Sequence, residues 1–249
     1  MKRFGQNGRI RLRIAAWNVE YGFRASAEEI GGFLAPLKPD IVCFSEVPEG
    51  DWTKRAGKSL GMEYSFVGKI SAAGHKDKYK STLSRTPIED EKEFLLKGEW
   101  SPASIMRTVL RIEGICVSVY SLHINGPHAV DITGRILPQE KAKNILIAGD
   151  FNNLTGSPVM NLFLEAGFAD VLEDIGAVDN KFTCYFYEKE GKDVIKYTGS
   201  DASAGKNWGV IDHILFNRPV ENRPVAGGII ETGRPLSDHK PIWADMEFE

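Results

Sequence analysis

At 249 residues with 42% hydrophobic content, the chain is long enough for one sizeable core. No Pro/Gly/Ser-rich linker, repeat or low-complexity tract divides it, so a single domain over 10–249 behind a flexible segment 1–9 is expected. A balance of 31 basic against 34 acidic residues, net −3, excludes the overall basic character of many nucleic-acid binders but leaves room for a local basic cleft. The three cysteines (Cys43, Cys116, Cys184) have no metal-type spacing, and the basic start is followed by no apolar signal core, so the expectation is a soluble cytoplasmic protein with reduced thiols, no membrane span and, by default, a monomer.

Ile10 to Trp17 alternates apolar and basic residues before turning wholly apolar, as a strand with one partly solvated face would, and it ends at Asn18. Ser26 is placed to cap a helix with Glu28 and Glu29 in its first turn and Ile30, Phe33, Leu34 and Leu37 as its apolar stripe. Ile41 to Val47 is a short apolar run interrupted by Glu46. A buried strand tolerates a carboxylate only when it is paired, hydrogen-bonded or on a metal, so Glu46 is a functional candidate, with capping of the next turn as the alternative.

Strands are expected at Tyr64–Gly68 and Ser81–Arg85, separated by the charged loop His75–Lys80. That loop reads either as plain solvated surface or as a basic rim, including Lys80, for a phosphate-bearing substrate. Met106–Ile112 and Ile115–Leu122, joined at Glu113-Gly114, form a hairpin pattern that ends at His123. A short helix is expected around Ile132 to Ala142.

Next comes Ile145-Leu146-Ile147-Ala148-Gly149-Asp150-Phe151-Asn152-Asn153, an apolar strand that stops abruptly at a carboxylate and two carboxamides. Gly149 permits a close approach or an unusual dihedral just before Asp150. The tetrapeptide is also a good turn on local grounds alone. Ser157-Pro158 starts another helix, carrying Met160, Leu162, Phe163 and Leu164 to Gly167. Strand-like pieces follow at Phe182–Phe186 and Val210–Phe216, with Gly199–Gly209 between them as a mobile loop, and Ser237-Asp238-His239-Lys240-Pro241 precedes a final strand at Ile242–Met246.

Six segments thus place acid, amide or imidazole groups at or beside a strand boundary: Asn18, Glu46, His123, Asp150 with Asn152, Asp212, and Asp238 with His239. One such case is ordinary, but six in a strand-rich chain suggest two sheets whose ends converge on one cleft. Of the five histidines, His123 and His239 are the site candidates; His75 reads as a loop residue, and His128 and His213 as surface or packing residues.

From Trp17-Asn18 to Ser237-Asp238-His239 the chain resembles the endonuclease/exonuclease/phosphatase superfamily, which includes DNase I and exonuclease III. The resemblance is carried chiefly by Gly149-Asp150-Phe151-Asn152 and Ser237-Asp238-His239-Lys240-Pro241, backed by Leu83-Ser84-Arg85-Thr86-Pro87-Ile88 and Ile211-Asp212-His213-Ile214. It implies an α/β (α+β) four-layer sandwich, two mainly antiparallel sheets packed face to face with helices outside. It also implies a divalent-metal-dependent phosphodiester hydrolase acting by in-line attack of water on phosphorus, with nucleic acid among its substrate classes. In that reading Glu46, Asn18 and Asp238 hold Mg²⁺ or Mn²⁺, and Asp150 orients or deprotonates the attacking water. His239, oriented by Asp212, is a general base or a charged donor, while Asn152 and His123 hold non-bridging oxygens. Arg107 and Lys80 are candidate substrate contacts, although an exposed strand arginine is an equal reading of Arg107. The chain departs from the family pattern at Ser45, where glutamine commonly precedes the metal glutamate, and at Lys80-Ser81-Thr82. The alternatives are a phosphomonoesterase, an inositol-phosphate or phospholipid hydrolase, and a non-catalytic binding module on the same fold.

Overall fold

The computed structural model describes residues 9–20, 25–99, 101–178, 181–184, 187–190, 193–197, 209–218, 221–232 and 236–249. Strand β1 (Ile10–Asn18) leads through helix α1 (Ala27–Leu34) to β2 (Ile41–Val47), then α2 (Trp52–Leu60), β3 (Tyr64–Val67) and β4 (Tyr79–Ser84). Next come β5 (Ile88–Leu95), β6 (Ser104–Ile112), β7 (Ile115–His123), α3 (Gly126–Asp131) and β8 (Asn144–Asp150). The chain continues through α4 (Pro158–Glu165), β9 (Phe168–Asp170), α5 (Val171–Asp174), β10 (Tyr187–Glu190), β11 (Asp193–Tyr197), β12 (Asp212–Asn217), β13 (Arg223–Ile229) and β14 (Ile242–Phe248).

Two six-stranded sheets form, in the orders β13-β14-β1-β2-β4-β3 and β5-β6-β7-β8-β12-β9, with β10 and β11 pairing as a separate two-stranded ribbon. Each large sheet is antiparallel except for one parallel pair near its middle, β1 with β2 and β7 with β8. A parallel pair needs a crossover, and α1 and α3 supply them. The fold is therefore the expected four-layer sandwich.

Strand alternation builds three apolar layers. Leu12, Ile14 and Ala16 of β1, Val117 and Val119 of β7, Leu146 and Ala148 of β8, and Ile214 and Phe216 of β12 meet between the sheets. The alternate residues Ala15 and Trp17 face outward onto Ile30 and Leu34 of α1 and Trp52, Ala56 and Leu60 of α2. On the other side Leu122 and Ile147 pack with Ala129 of α3 and Met160 and Phe163 of α4. With each such fully buried side chain worth about 1.5–3 kcal/mol, both faces of the central strands are strongly specified, and a one-residue slip would expose a whole row.

Local signals act as expected at several ends. Ser26 accepts from the Glu29 amide at 3.1 Å while the Glu29 carboxylate accepts from the Ser26 amide at 2.9 Å, a reciprocal cap on α1. Ser157 accepts from the Met160 amide, and Pro158 opens α4. Glu113 and Gly114 both take positive φ, 49° and 91°, as the two-residue turn between β6 and β7 requires.

Other expectations are corrected. The helix placed at Ile132–Ala142 starts six residues earlier, at Gly126 behind Asn125, and continues as a wide turn over Ile132–Ile136 and a tight one over Leu137–Gln139; Pro127 at its start, with no amide to leave unpaired, suits the first turn better than the interior. The expected strand Phe182–Phe186 contributes a single bridge, Cys184 to His239, and Tyr185 and Phe186 lie outside the described residues. Most of the loop expected at Gly199–Gly209, and residues 1–8 of the N-terminal segment, lie there too. No helix among the described residues is long and apolar enough to cross a membrane.

Candidate active site

The same alternation that builds the inter-sheet layer delivers the polar groups. Following Leu12, Ile14 and Ala16 along β1, the next inward residue is Asn18; following Val117 and Val119 along β7, the inward row runs through Ser121 to His123. Leu146 and Ala148 lead to Asp150 on β8, and β12 begins with the inward Asp212 ahead of Ile214. In register, His123 lies opposite Asp150 and Asp150 opposite Asp212, so these three sit side by side across adjacent strands.

Glu46 breaks the rule. Ile41 and Cys43 face the inter-sheet layer, so Ser45 faces inward and Glu46 would face out. A bulge between Ser45 and Val47 and a left-handed backbone at Glu46, φ 57°, turn its carboxylate into the site instead. A non-glycine residue in this region costs of order 1–3 kcal/mol, which the packing on both sides must offset. Gly149 has a different need. Its φ is 143°, and a Cβ there would lie 2.1 Å from the Leu122 carbonyl oxygen, so only glycine lets β8 approach β7 closely enough to set Asp150 beside His123.

The assembled geometry is close and buried. Asn18 Nδ2 donates to Asp150 Oδ2 at 3.0 Å and to Glu46 Oε1 at 3.3 Å, bridging the two sheets. His123 Nε2 lies 3.6 Å from both Glu46 Oε1 and Asp150 Oδ2. His239 Nδ1 is 2.8 Å from Asp212 Oδ2, while its Nε2 stands 3.7 Å from Asp150 Oδ2, beyond a hydrogen bond. Ser237 donates to the Asn18 carbonyl at 2.7 Å and accepts from the His239 amide at 3.0 Å, and Trp17 Nε1 donates to the His239 carbonyl. That ties the Ser237–His239 segment to the end of β1. Asp150 Oδ1 accepts from the Asn152 amide at 2.8 Å, and Asn152, at φ 51°, donates its side chain to the Ile124 carbonyl at 3.1 Å. The turn reading of this tetrapeptide and the site reading are therefore the same structure.

The electrostatics follow from crowding acids in a dry place. Burial alone would raise Glu46, but His123 and Lys78 outweigh it and hold the carboxyl below its ordinary value. Asp238 is pushed up to about 7 by burial, against the help of His239, with Glu20, Glu46 and Asp150 adding to the rise. Burial works against a charged His239, yet Asp212, Asp150 and Asp238 raise its pKa well above the ordinary imidazole value. The carboxylates of Glu46, Asp150 and Asp238 suit a hard divalent cation, which takes carboxylate and carboxamide oxygens. Asn18, Glu46 and, on the other side, Asp150 or Asp238 are the residues that would hold it. Asp150, Asp212 and His239 also present ligand atoms within 4.8 Å of one another.

Two expected contacts fall elsewhere. Arg107 lies opposite Tyr120, on the outer face of its sheet, where Glu140 at 2.5 Å and Asp90 at 2.6 Å neutralise it; it does not reach the cleft. Lys80 is fully buried opposite Ser45, donating Nζ to the Ile70 carbonyl at 3.0 Å, and burial lowers its pKa to about 8. The lysine that enters the site is Lys78, two residues earlier, whose Nζ is 2.8 Å from Glu46 Oε2. Nothing in a Lys-rich loop marks which lysine turns inward. At Ser45 the hydroxyl donates across the layer to the Leu122 carbonyl at 3.0 Å, a tie between the sheets just below Glu46. His128 and His213 are buried rather than on the surface: His128 Nδ1 accepts from the Asn125 amide at the start of α3, and His213 is enclosed between Asp170 and the Asn153 carbonyl.

Two sheets that converge their strand ends on a carboxylate-rich, imidazole-bearing cleft define a phosphoester-hydrolase class of site, and sequence comparison agrees. The model of the Endonuclease/Exonuclease/phosphatase family matches residues 15–239, and the chain belongs to that family. Enzymes of this family act on phosphoester bonds and generally depend on a divalent metal. No curated protein matches the chain.

Among solved structures, the endonuclease/exonuclease/phosphatase family protein from Leptotrichia buccalis C-1013-b superposes with a TM-score of 0.72 at 18% identity, covering 95% of this chain and 100% of that one. A family member from Beutenbergia cavernae DSM 12333 gives 0.71 at 18% identity, covering 96% and 72%. D. rerio TDP2 complexed with single strand DNA product gives 0.67 at 18% identity, covering 95% and 98%. At such identity these likenesses speak for the fold.

Proposed function

We propose that the chain is a divalent-metal-dependent phosphodiester hydrolase that cleaves by in-line attack of water on phosphorus. The observation that carries this reading is the His239 ring. Asp212 fixes its Nδ1 and leaves Nε2 facing Asp150 Oδ2 at 3.7 Å, in the cleft that also holds Glu46 and Asn18. A bound Mg²⁺ or Mn²⁺ would supply charge neutralisation on the phosphate. Glu46 and Asn18, with Asp238, would hold it.

Asp150 orients the attacking water through its Oδ2, its Oδ1 being occupied by the Asn152 amide. His239, kept protonated over a wide pH range by its acidic neighbours, donates from Nε2 to a phosphate oxygen. His123 and Asn152 flank the same oxygens. Lys78 is a substrate contact in place of Lys80 and Arg107: an ammonium on a partly exposed side chain, resting on Glu46 and long enough to move to an incoming phosphate.

Nucleic acid is the first polymer to try, because the TDP2 neighbour was captured with single-strand DNA product. The test is hydrolysis of bis-(p-nitrophenyl) phosphate beside p-nitrophenyl phosphate with Mg²⁺, Mn²⁺ or EDTA. Diester cleavage that needs metal is the expected outcome. Preferred monoester cleavage would move the reading to a phosphatase, and no turnover together with no calorimetric binding of either metal would reject the enzyme.

A further inference from the structure

A second group of ligand atoms shares His239 with the site just described. Cys184, Asp238 and His239 each offer one ligand atom, and these atoms all lie within 4.8 Å of one another. The backbone holds them there. Cys184 and His239 are bridge partners, the Lys240 amide donates to the Thr183 carbonyl at 2.7 Å, and the Thr183 hydroxyl accepts from the amides of Ile211 and Asp212 at 3.0 and 3.1 Å. Asp238 Oδ1 lies 3.3 Å from the Ser237 hydroxyl, whose hydrogen goes to the Asn18 carbonyl at 2.7 Å.

We infer that Cys184, Asp238 and His239 form a three-ligand site for a borderline-soft divalent cation, of the zinc class, distinct in chemistry from the hard-cation site at Glu46. Thiolate, imidazole and carboxylate are the donors that zinc takes, and three protein ligands leave a fourth position for water. Asp212 on Nδ1 completes a carboxylate–histidine arrangement in which the remaining ring nitrogen, Nε2, is the ligand. Donors around tetrahedral zinc, bound at about 2.0–2.3 Å, stand roughly 3.3–3.8 Å apart, so rotation of Asp238 and Cys184 by about an ångström closes the site. On binding, the S–Zn and N–Zn bonds form as the thiol proton and the imidazolium Nε2 proton leave to solvent; nothing is oxidised or reduced.

Zinc here takes the one nitrogen that the proposed hydrolysis uses. The metal that supports turnover and the metal that blocks it then compete for Asp238 and differ in their other donors within one cleft. This consequence rests on the proposed role of His239, whereas the binding itself does not.

The experiment uses the full chain with Mg²⁺ in excess to fill oxygen sites, titrated with Zn²⁺ by calorimetry and with Co²⁺ by absorption, for wild type and Cys184→Ser. Wild type is expected to bind Zn²⁺ and to show a thiolate-to-cobalt charge-transfer band. Cys184→Ser is expected to lose the band and to weaken Zn²⁺ by at least about 10-fold, the loss that removing even an outer partner of a metal ligand brings. Its Mg²⁺-supported turnover stays at the wild-type level and resists Zn²⁺. A second readout needs no substitution: Zn²⁺ slows alkylation of Cys184 in the wild type and leaves Cys116 unchanged. Equal Zn²⁺ affinity in both proteins, or Co²⁺ binding without the band, would overturn the site. A Cys184-dependent band in a chain with no turnover would leave this site standing and remove the hydrolase reading instead.

Discussion

Asp212 and His213 are neighbours on β12 that face opposite ways, and each belongs to a buried imidazole–carboxylate pair. His213 donates from Nδ1 to Asp170 at 2.5 Å and from Nε2 to the Asn153 carbonyl at 2.9 Å. Both partners accept, so the ring carries both protons and every polar atom is used. His239 likewise has a carboxylate on Nδ1, from Asp212, but its Nε2 stands 3.7 Å from Asp150, beyond a hydrogen bond, and the ring also bonds the Cys184 side chain. One pair holds β9 and β12 beside the Asn153 turn; the other faces the cleft. The difference teaches that a buried His–Asp pair is not by itself a site: the second ring nitrogen must face the cleft.

The largest effect separating the two is expected at Asp170. Asp170→Ala strands His213 without its counter-charge and removes the cap on the Leu172 amide, so stability should fall by about 3–5 kcal/mol, read from denaturant unfolding. Near-normal turnover per folded molecule is expected. The complementary change is Glu46→Gln, which should leave the unfolding midpoint close to wild type and cut metal-supported diester hydrolysis on the order of 10³-fold. A variant that binds Mn²⁺ and turns over normally would remove Glu46 from the site.

How much of this was readable in the chain depends on which physical signal was in play. Asn18, His123 and Asp150 were legible because each ends an apolar run, and a period of two then puts them on the inter-sheet face. The inward turn of Glu46 was not, since its parity points outward and only a bulge and a left-handed φ reverse it. Strand β5 escaped notice because an edge strand reading Ile-Glu-Asp-Glu-Lys-Glu-Phe-Leu carries little apolar alternation, its charges suiting an unpaired edge. Helix α2 was missed for a related reason: Trp52, Ala56 and Leu60 make a thin stripe among Lys, Arg and Gly. Lys80 and Arg107 were misread because local sequence does not tell a lysine under a sheet, or an arginine already paired with Glu140, from one on a cleft rim.

Lys80 sharpens the comparison from the other direction, as a buried charge with no carboxylate in hydrogen-bond contact. Its pKa falls from 10.5 to about 8 through burial, partly offset by Glu93, and that difference is worth roughly 3 kcal/mol. A depressed folded value means stability is greatest above the unfolded pKa and is lost as pH falls through about 8. Wild type should therefore gain stability between about pH 8 and 10.5, and Lys80→Met should flatten that gain while stabilising the fold at neutral pH, with turnover unchanged. Loss of turnover in a stable Lys80→Met protein would restore this lysine to the site.

Gly149→Ala is expected to lower stability, since its Cβ would overlap the Leu122 backbone, and to couple fold and function. Strain at φ 143° costs roughly 1–3 kcal/mol, and the shift that relieves the contact with Leu122 moves Asp150 off His123. Turnover should drop more than the unfolding midpoint implies. An unchanged rate would mean that the Asp150–His123 register has no part in the reaction.

The central claim is that the cleft-facing nitrogen of His239, not the buried pair as such, makes the active site. Its most direct test is His239→Ala beside His213→Ala, each assayed for Mn²⁺-supported hydrolysis of bis-(p-nitrophenyl) phosphate and for thermal unfolding. The account predicts a crossed result: His239→Ala loses about 10²–10⁴-fold in rate and stays folded, while His213→Ala loses stability and keeps its rate per folded molecule. A folded His239→Ala protein at the wild-type rate, or a folded His213→Ala protein without turnover, would contradict it.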